Sequence, residues 1–194
     1  MTIYDKNLIK IKDDIINDNK EFTNLGYFPL YYVNSKSKIL IIGQAPGIKA
    51  RDSNSAWNDQ SGDTLRDWLG VTRNEFYNED LFGIMPMDFY YPGKGKSGDL
   101  PPRKEFAKKW HPLILENLKD IKLIILIGNY AQKYYLNNKD NLTNNVFNYK
   151  KYLPLYFPIV HPSPLNFRWM NKNPWFLSDV LPELKNLVRN IINE

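Results

Sequence analysis

Lys38-Ile39-Leu40-Ile41-Ile42-Gly43 and, further on, Ile121-Lys122-Leu123-Ile124-Ile125-Leu126-Ile127-Gly128 are two apolar, β-branched runs that each end on glycine. A strand with one wet face alternates apolar and polar residues. An unbroken run has both faces covered, as in a parallel sheet between layers of helix. Shorter runs of the same kind are Leu81–Met87 and Leu155–Val160. Helical periodicity falls between and after them, over Ser61–Leu69, Pro102–Leu118, Tyr130–Leu136 and Trp175–Ile192. A further helix from Asp5 to about Glu21 precedes the first strand, and Asn137–Lys151 reads as an exposed loop. This alternation predicts a three-layer α/β/α fold with a central four-stranded parallel sheet and right-handed crossovers, in one domain over 1–194. In such sheets the working residues gather at the carboxyl ends of the strands.

Composition narrows the chemistry. The 194 residues contain no cysteine, which excludes disulfides, thiolate-bound zinc and iron–sulfur clusters. Two histidines argue against a multi-histidine metal site, so the expectation is a protein without metal or cofactor. Met1–Lys20 is charged throughout, and no apolar run reaches the ~20 residues of a membrane span. The sequence thus predicts a cytoplasmic protein with no membrane partner. Lys and Arg outnumber Asp and Glu by 26 to 21, a mild bias toward a polyanionic partner. Lys94, Lys96, Arg103, Lys104, Lys108 and Lys109 fall close together among glycines and prolines. They read either as a phosphate-binding stripe or as a solvated loop and helix face.

The loops after the strands carry the unusual residues. Gly43-Gln44-Ala45-Pro46-Gly47 is a tight turn whose backbone amides can approach a ligand closely, though it matches no phosphate-binding glycine loop. Trp57-Asn58-Asp59-Gln60-Ser61-Gly62-Asp63 follows, with Ser61 or Asp63 available to cap a helix. Trp57 stands among polar residues outside any periodicity, as a stacking platform or as core. Asp88, in Met85-Pro86-Met87-Asp88-Phe89, is an acid at the end of an apolar strand, so it is either exposed or bonded to something specific. His161-Pro162-Ser163-Pro164-Leu165 makes a stiff elbow after the last strand. It delivers a hydrogen-bond donor and an apolar tip with nothing local to pack on, which suits a wedge pushed into a base stack.

Together, Gly43–Gly47, the loop aromatic Trp57 before Ser61-Gly62-Asp63-Thr64-Leu65-Arg66, and His161-Pro162-Ser163-Pro164-Leu165-Asn166 resemble the uracil-DNA glycosylase superfamily. The stretch Met87–Arg103 looks like a bacterial glycosylase-like subgroup. The resemblance implies a monomeric, cofactor-free DNA glycosylase of base-excision repair. Such an enzyme cleaves the N-glycosidic bond of a damaged base, such as uracil, flipped out of DNA. It further implies that Gly43, Gln44 and Ala45 line the carbonyl edge of the base and that Trp57 stacks on it. His161 would stabilise the leaving anion. Leu165 would wedge the duplex, while Pro46, Gly47, Ser163 and Pro164 meet the DNA backbone together with Lys94, Lys96 and Arg103. Two departures stand out. Ala45 and Gln44 occupy positions where branches of the superfamily place a carboxylate, so Asp52 and Asp59 on the next loop become the candidate catalytic anions. The usual base-reading asparagine is also missing, and Asp88 lies near its place. Two other readings are a non-catalytic DNA- or nucleobase-binding member of the same fold and a hydrolase of free nucleosides. The basic segment and the Leu165 wedge argue against the latter.

Overall fold

The computed structural model describes residues 1–194. Four parallel strands, β1 (Ile39–Ile42), β2 (Phe82–Ile84), β3 (Leu123–Ile127) and β4 (Tyr156–Ile159), form one sheet in the order β2-β1-β3-β4. The unbroken runs become the two central strands, β1 and β3, and the shorter ones become the edges. Side-chain alternation explains why no polar residue interrupts β1 or β3. Ile39, Ile41, Leu123, Ile125 and Ile127 face one buried cluster, while Leu40, Ile42, Ile124 and Leu126 face a second on the other side. A fully buried aliphatic side chain contributes about 1.5–3 kcal/mol, so any polar substitution in these strands would forfeit that on one face or the other.

Helices α1 (Ile3–Asp18) and α2 (Lys20–Thr23) precede the sheet, and α3 (Ile48–Ser53), α4 (Gln60–Leu69) and α5 (Arg73–Phe76) join β1 to β2. α6 (Phe106–Leu115) leads to β3, and α7 (Gly128–Leu136) and α8 (Leu142–Phe147) to β4. α9 (Phe167–Lys172) and α10 (Leu181–Asn193) close the chain. α4 and α10 cover the first face through Leu65, Trp68, Leu184 and Val188. α1 and α6 cover the second through Leu8, Ile15, Trp110 and Ile114. The three-layer α/β/α arrangement is therefore the one predicted. No helix is long and apolar enough to cross a membrane.

Two local expectations change. Asn137–Lys151 is largely helical: Asn141 caps α8 by accepting from the Asn144 amide, and Asn138, Asn145 and Tyr152 hydrogen-bond one another beneath it. The asparagines that suggested an exposed loop are spent on that cap and network, with Asn145 and Val146 buried. α6 starts at Phe106 rather than Pro102, because the Arg103 amide is bonded to the Asp88 carboxylate before the helix begins. His111, within α6, is fully buried, with Nδ1 2.6 Å from the Tyr135 hydroxyl and Nε2 3.0 Å from the Pro86 carbonyl oxygen.

Candidate active site

A cavity of about 300 Å³ opens beside the carboxyl end of β1, where a doubly covered parallel sheet places its ligand sites. Its lining joins the Gly43–Gly47 turn to Trp57, Asp59, Ser61, Pro86, Asp99 and His161. The turn is fixed from behind: the Gly43 carbonyl accepts from the Met87 amide at 2.8 Å, and the Gln44 carbonyl from the Asp88 amide at 3.1 Å. The N–H groups of Gln44 and Ala45 have no partner within the protein, so both remain available to a ligand in the cavity they line. Gly43 is glycine for space, since a Cβ there would stand 3.2 Å from the Trp57 ring.

Trp57 is held in an unusual state. Its φ is 58°, in the left-handed region that costs a bulky residue of order 1–3 kcal/mol and persists only when the surroundings enforce it. Arg66 Nη1 donates to the Trp57 carbonyl at 3.1 Å, while Nη2 bonds Asp63 at 2.6 Å. Gly62 lies so close that a Cβ would sit 1.8 Å from the same carbonyl oxygen. Asp59 caps α4 by accepting from the Gly62 amide at 3.0 Å, so cap, glycine and arginine together set the tryptophan. The half-buried ring rests on the first core cluster, and its centroid is 5.5 Å from that of His161. The ring is therefore partly core and partly cavity wall.

His161 follows the apolar end of β4, and Asn166 Nδ2 donates to its carbonyl at 2.8 Å, which shapes the elbow. The imidazole has no hydrogen-bond partner in the protein. Burial lowers its pKa below the usual value, and the Asp59 carboxylate opposes the shift. A neutral ring with a free N–H suits a donor that must meet developing negative charge. Beyond it, Ser163 accepts from the Leu165 amide at 3.2 Å, Pro164 is exposed, and Leu165 is 87% exposed.

The carboxylates sort differently from the sequence expectation. Asp59 lines the cavity, but Asp52 does not: it is exposed and paired with Arg51, Nε to Oδ1 2.8 Å. Asp88 is buried to 1% exposure and does not line the cavity. It accepts from Arg103 Nε at 2.7 Å and Nη2 at 2.9 Å, from the Arg103 amide at 3.1 Å and from the Tyr90 amide at 3.1 Å. An isolated carboxylate at that depth would be costly, and these four donors offset the cost. Asp88 is therefore withdrawn as a base-reading residue, and Arg103 as a free phosphate contact. The Arg103 guanidinium is spent on Asp88 and on Asn19 and lies over the Phe106 ring. Lys94 and Lys96 are exposed and carry no ion pair, whereas Lys109 pairs with Asp18 and Lys108 with Glu105.

Sequence reasoning missed Asp99. It sits on a small hairpin, where the Gly95 amide bonds the Gly98 carbonyl and Lys94 bridges Asp99. Gln44 Nε2 donates to the Leu100 carbonyl at 3.2 Å and ties that hairpin to the turn. Gly95 and Gly98 around Lys96-Ser97 were the available signal for the hairpin, but nothing local says that it folds back over Gly47.

An open parallel sheet with a cavity at its carboxyl end, lined by a histidine, a pinned indole and unspent amides, defines an α/β protein of the doubly wound kind. The chain belongs to the uracil DNA glycosylase superfamily, whose family model matches residues 30–185. A solution NMR structure of a candidate uracil DNA glycosylase from Methanosarcina acetivorans is similar to it at a TM-score of 0.45 and 14% identity, over 81% of this chain and 96% of that one.

Proposed function

We propose that the protein hydrolyses the N-glycosidic bond of a damaged base, of the class to which uracil belongs, after that base is flipped from DNA into the cavity. The observation that carries this reading is the convergence of His161, Trp57, Asp59 and the unspent Gln44 and Ala45 amides on one cavity of about 300 Å³. The base stacks beside the Trp57 ring, with a carbonyl oxygen toward the amides and His161. Breaking the C1′–N bond leaves its electron pair on the base, and the neutral His161 N–H stabilises the resulting oxyanion. Asp59, on the His161 side, supplies the anion that faces the positive sugar and takes a proton from the attacking water. One of its oxygens is used in the α4 cap, which fixes the group and leaves the other for this role. Leu165 fills the space vacated in the duplex. Ser163, Pro164 and Pro46 meet the backbone, and Lys94 and Lys96 meet phosphates. The protein acts as a monomer and needs no cofactor.

Oligonucleotides each carrying one modified base, assayed for abasic sites in single turnover, test the proposal. At least one base should be excised, and His161→Ala should slow that excision by ~10²–10³ with DNA affinity little changed. One observation favours a second reading, a DNA- or nucleobase-binding protein without turnover: the turn itself offers Gln44 and Ala45 but no carboxylate. Normal DNA binding with no excision across the panel would establish that reading and end the first.

A further inference from the structure

Beside the cavity, and sharing Pro46 with it, lies a larger groove of about 590 Å³. Three aromatic rings line it without belonging to either core cluster: Tyr27, Phe28 and Tyr91. Phe28 is 53% exposed, and the two tyrosines are half-buried. The turn after α2 places the first two rings. Gly26 takes φ 81°, and the Tyr27 amide donates to the Phe22 carbonyl at 3.0 Å, so the chain reverses at the helix end and presents residues 27 and 28 to the groove. Tyr91 comes from the loop after β2, and its hydroxyl donates at 3.3 Å to Asp99, a cavity residue. Arg51 of α3 reaches both tyrosines, its guanidinium carbon 4.7 Å from the Tyr27 ring centroid and 5.3 Å from that of Tyr91. Its charge is met by Asp52, through Nε at 2.8 Å and Nη2 at 2.7 Å. The groove is therefore aromatic and carries no net charge. Unpaired cations stand at its margins: Lys49 lines the cavity and Lys94 follows Gly93 of the groove, both exposed.

We infer that this groove is a second base subsite, which receives the unpaired base next to the flipped one on the same DNA strand. The inference rests on the proposed binding of DNA at the cavity and adds a neighbour to it. One shared wall, Pro46, separates the two spaces, so bases on either side of it belong to successive nucleotides. A groove of aromatic faces without net charge suits a flat neutral base. A phosphate there would meet the Asp52 carboxylate, whereas Lys49 and Lys94 outside it supply cations for the flanking phosphates. Stacking on aromatic rings accepts any base, because every base has a π-face, so the subsite adds affinity without choosing sequence. In a duplex the groove stays empty unless a second pair opens. It therefore serves single-stranded DNA, while Leu165 serves the duplex.

Binding without turnover separates this from the glycosylase reading. The probes are single-stranded oligonucleotides of thymine with one non-cleavable 2′-fluoro-deoxyuridine, whose 5′ neighbour, 3′ neighbour or neither is replaced by a tetrahydrofuran abasic analogue. Removing a neighbour also frees the uracil from stacking in the unbound strand, which favours binding, so any weakening reports a lost contact. For the wild type, one of the two replacements should weaken binding by at least about fivefold, the low end for a base stacked on an aromatic ring. Tyr27→Ala with Phe28→Ala should cut that ratio by at least about threefold, and neither residue packs on a core cluster. Tyr27→Phe with Phe28→Tyr, which keeps both rings, should preserve it. A wild type that binds no probe, or that loses less than fivefold at both neighbours, overturns the inference and leaves the groove to another occupant such as a peptide segment. A ratio that survives loss of both rings, or that the ring-keeping pair abolishes, overturns it too. If the neighbour contributes through Tyr27 and Phe28 while no base is ever excised, the inference stands and the glycosylase reading alone falls.

Discussion

Replacing Gly62 by alanine tests how the cavity is held. A methyl at that position would stand 1.8 Å from the Trp57 carbonyl oxygen and 2.5 Å from its carbon, well inside any tolerated contact. Both are backbone atoms, so no rotamer change relieves the clash. Either the Trp57 peptide swings away or the first turn of α4 unwinds. Swinging the peptide breaks the bond from Arg66, worth about 1.5–3 kcal/mol for a charged donor. Unwinding the turn loses the Asp59 cap, typically ~1 kcal/mol. Alanine recovers up to ~1 kcal/mol of helix propensity over glycine. The net expectation is a loss of roughly 1–3 kcal/mol, which lowers Tm by about 3–10 °C in a chain of this length.

Trp57 also leaves its left-handed conformation in Gly62→Ala, so base binding should weaken by about 1–3 kcal/mol, the usual worth of a base stacked on an aromatic ring. Calorimetry measures the first effect, and titration with an oligonucleotide carrying the base measures the second. A Tm equal to or above that of the wild type would show that helix propensity decides the outcome and that the Gly62–Trp57 approach does not constrain the fold. A lower Tm with unchanged base affinity would remove the link from that approach to the ligand.

Asp88→Asn should cost about 3–5 kcal/mol in urea unfolding, because it leaves the half-buried Arg103 guanidinium facing an amide; a loss under 1 kcal/mol would refute the clamp. Replacing Lys94 and Lys96 together by glutamine should flatten the log–log salt dependence of DNA affinity by roughly one to two units at unchanged Tm, and an unaltered slope would mark them as mere solvated surface. Burial holds the His111 pKa down at about 4, against 6.5 for the free side chain. The unfolded chain therefore binds this proton first. Stability should fall by about 2–3 kcal/mol as pH drops from 6.5 to 4.5, and this loss should shrink in His111→Gln; a flat profile in the wild type would contradict the neutral buried ring.

Residues whose role depends on their own neighbours in the chain were readable from sequence. The β1 and β3 runs could only be doubly buried strands, and His161 between an apolar strand and two prolines could only be presented at the carboxyl end of the sheet. Roles set by distant partners were not readable. Asp52 and Asp59 look alike on one loop, yet Arg51 takes the first and the α4 N-terminus takes the second, and only the second borders the cavity. The left-handed Trp57 requires Gly62 and Arg66, five and nine residues on, whose glycine and arginine read equally well as ordinary helix residues. Asp88 looked like a base reader because the arginine that neutralises it is fifteen residues away.

That distance is itself the mechanism by which Asp88 serves the cavity. Its amide extends the pairing of the β2 end with the Gly43–Gly47 turn, and its carboxylate grips both the Tyr90 amide and Arg103. The chain from 88 to 103 is thus closed at its neck before α6 begins. A loop of this length left open would sample many placements of its tip. With the neck clamped, the hairpin around Asp99 needs only the Gln44–Leu100 and Tyr91–Asp99 contacts to settle over the turn. His111 adds a second fixed point, since its Nε2 lies 3.0 Å from the carbonyl oxygen of Pro86, a cavity residue. The buried acid behind the turn and the accessible acid at its edge therefore work as one unit: Asp88 bears the desolvation cost, and Asp99 is placed in the lining of the cavity.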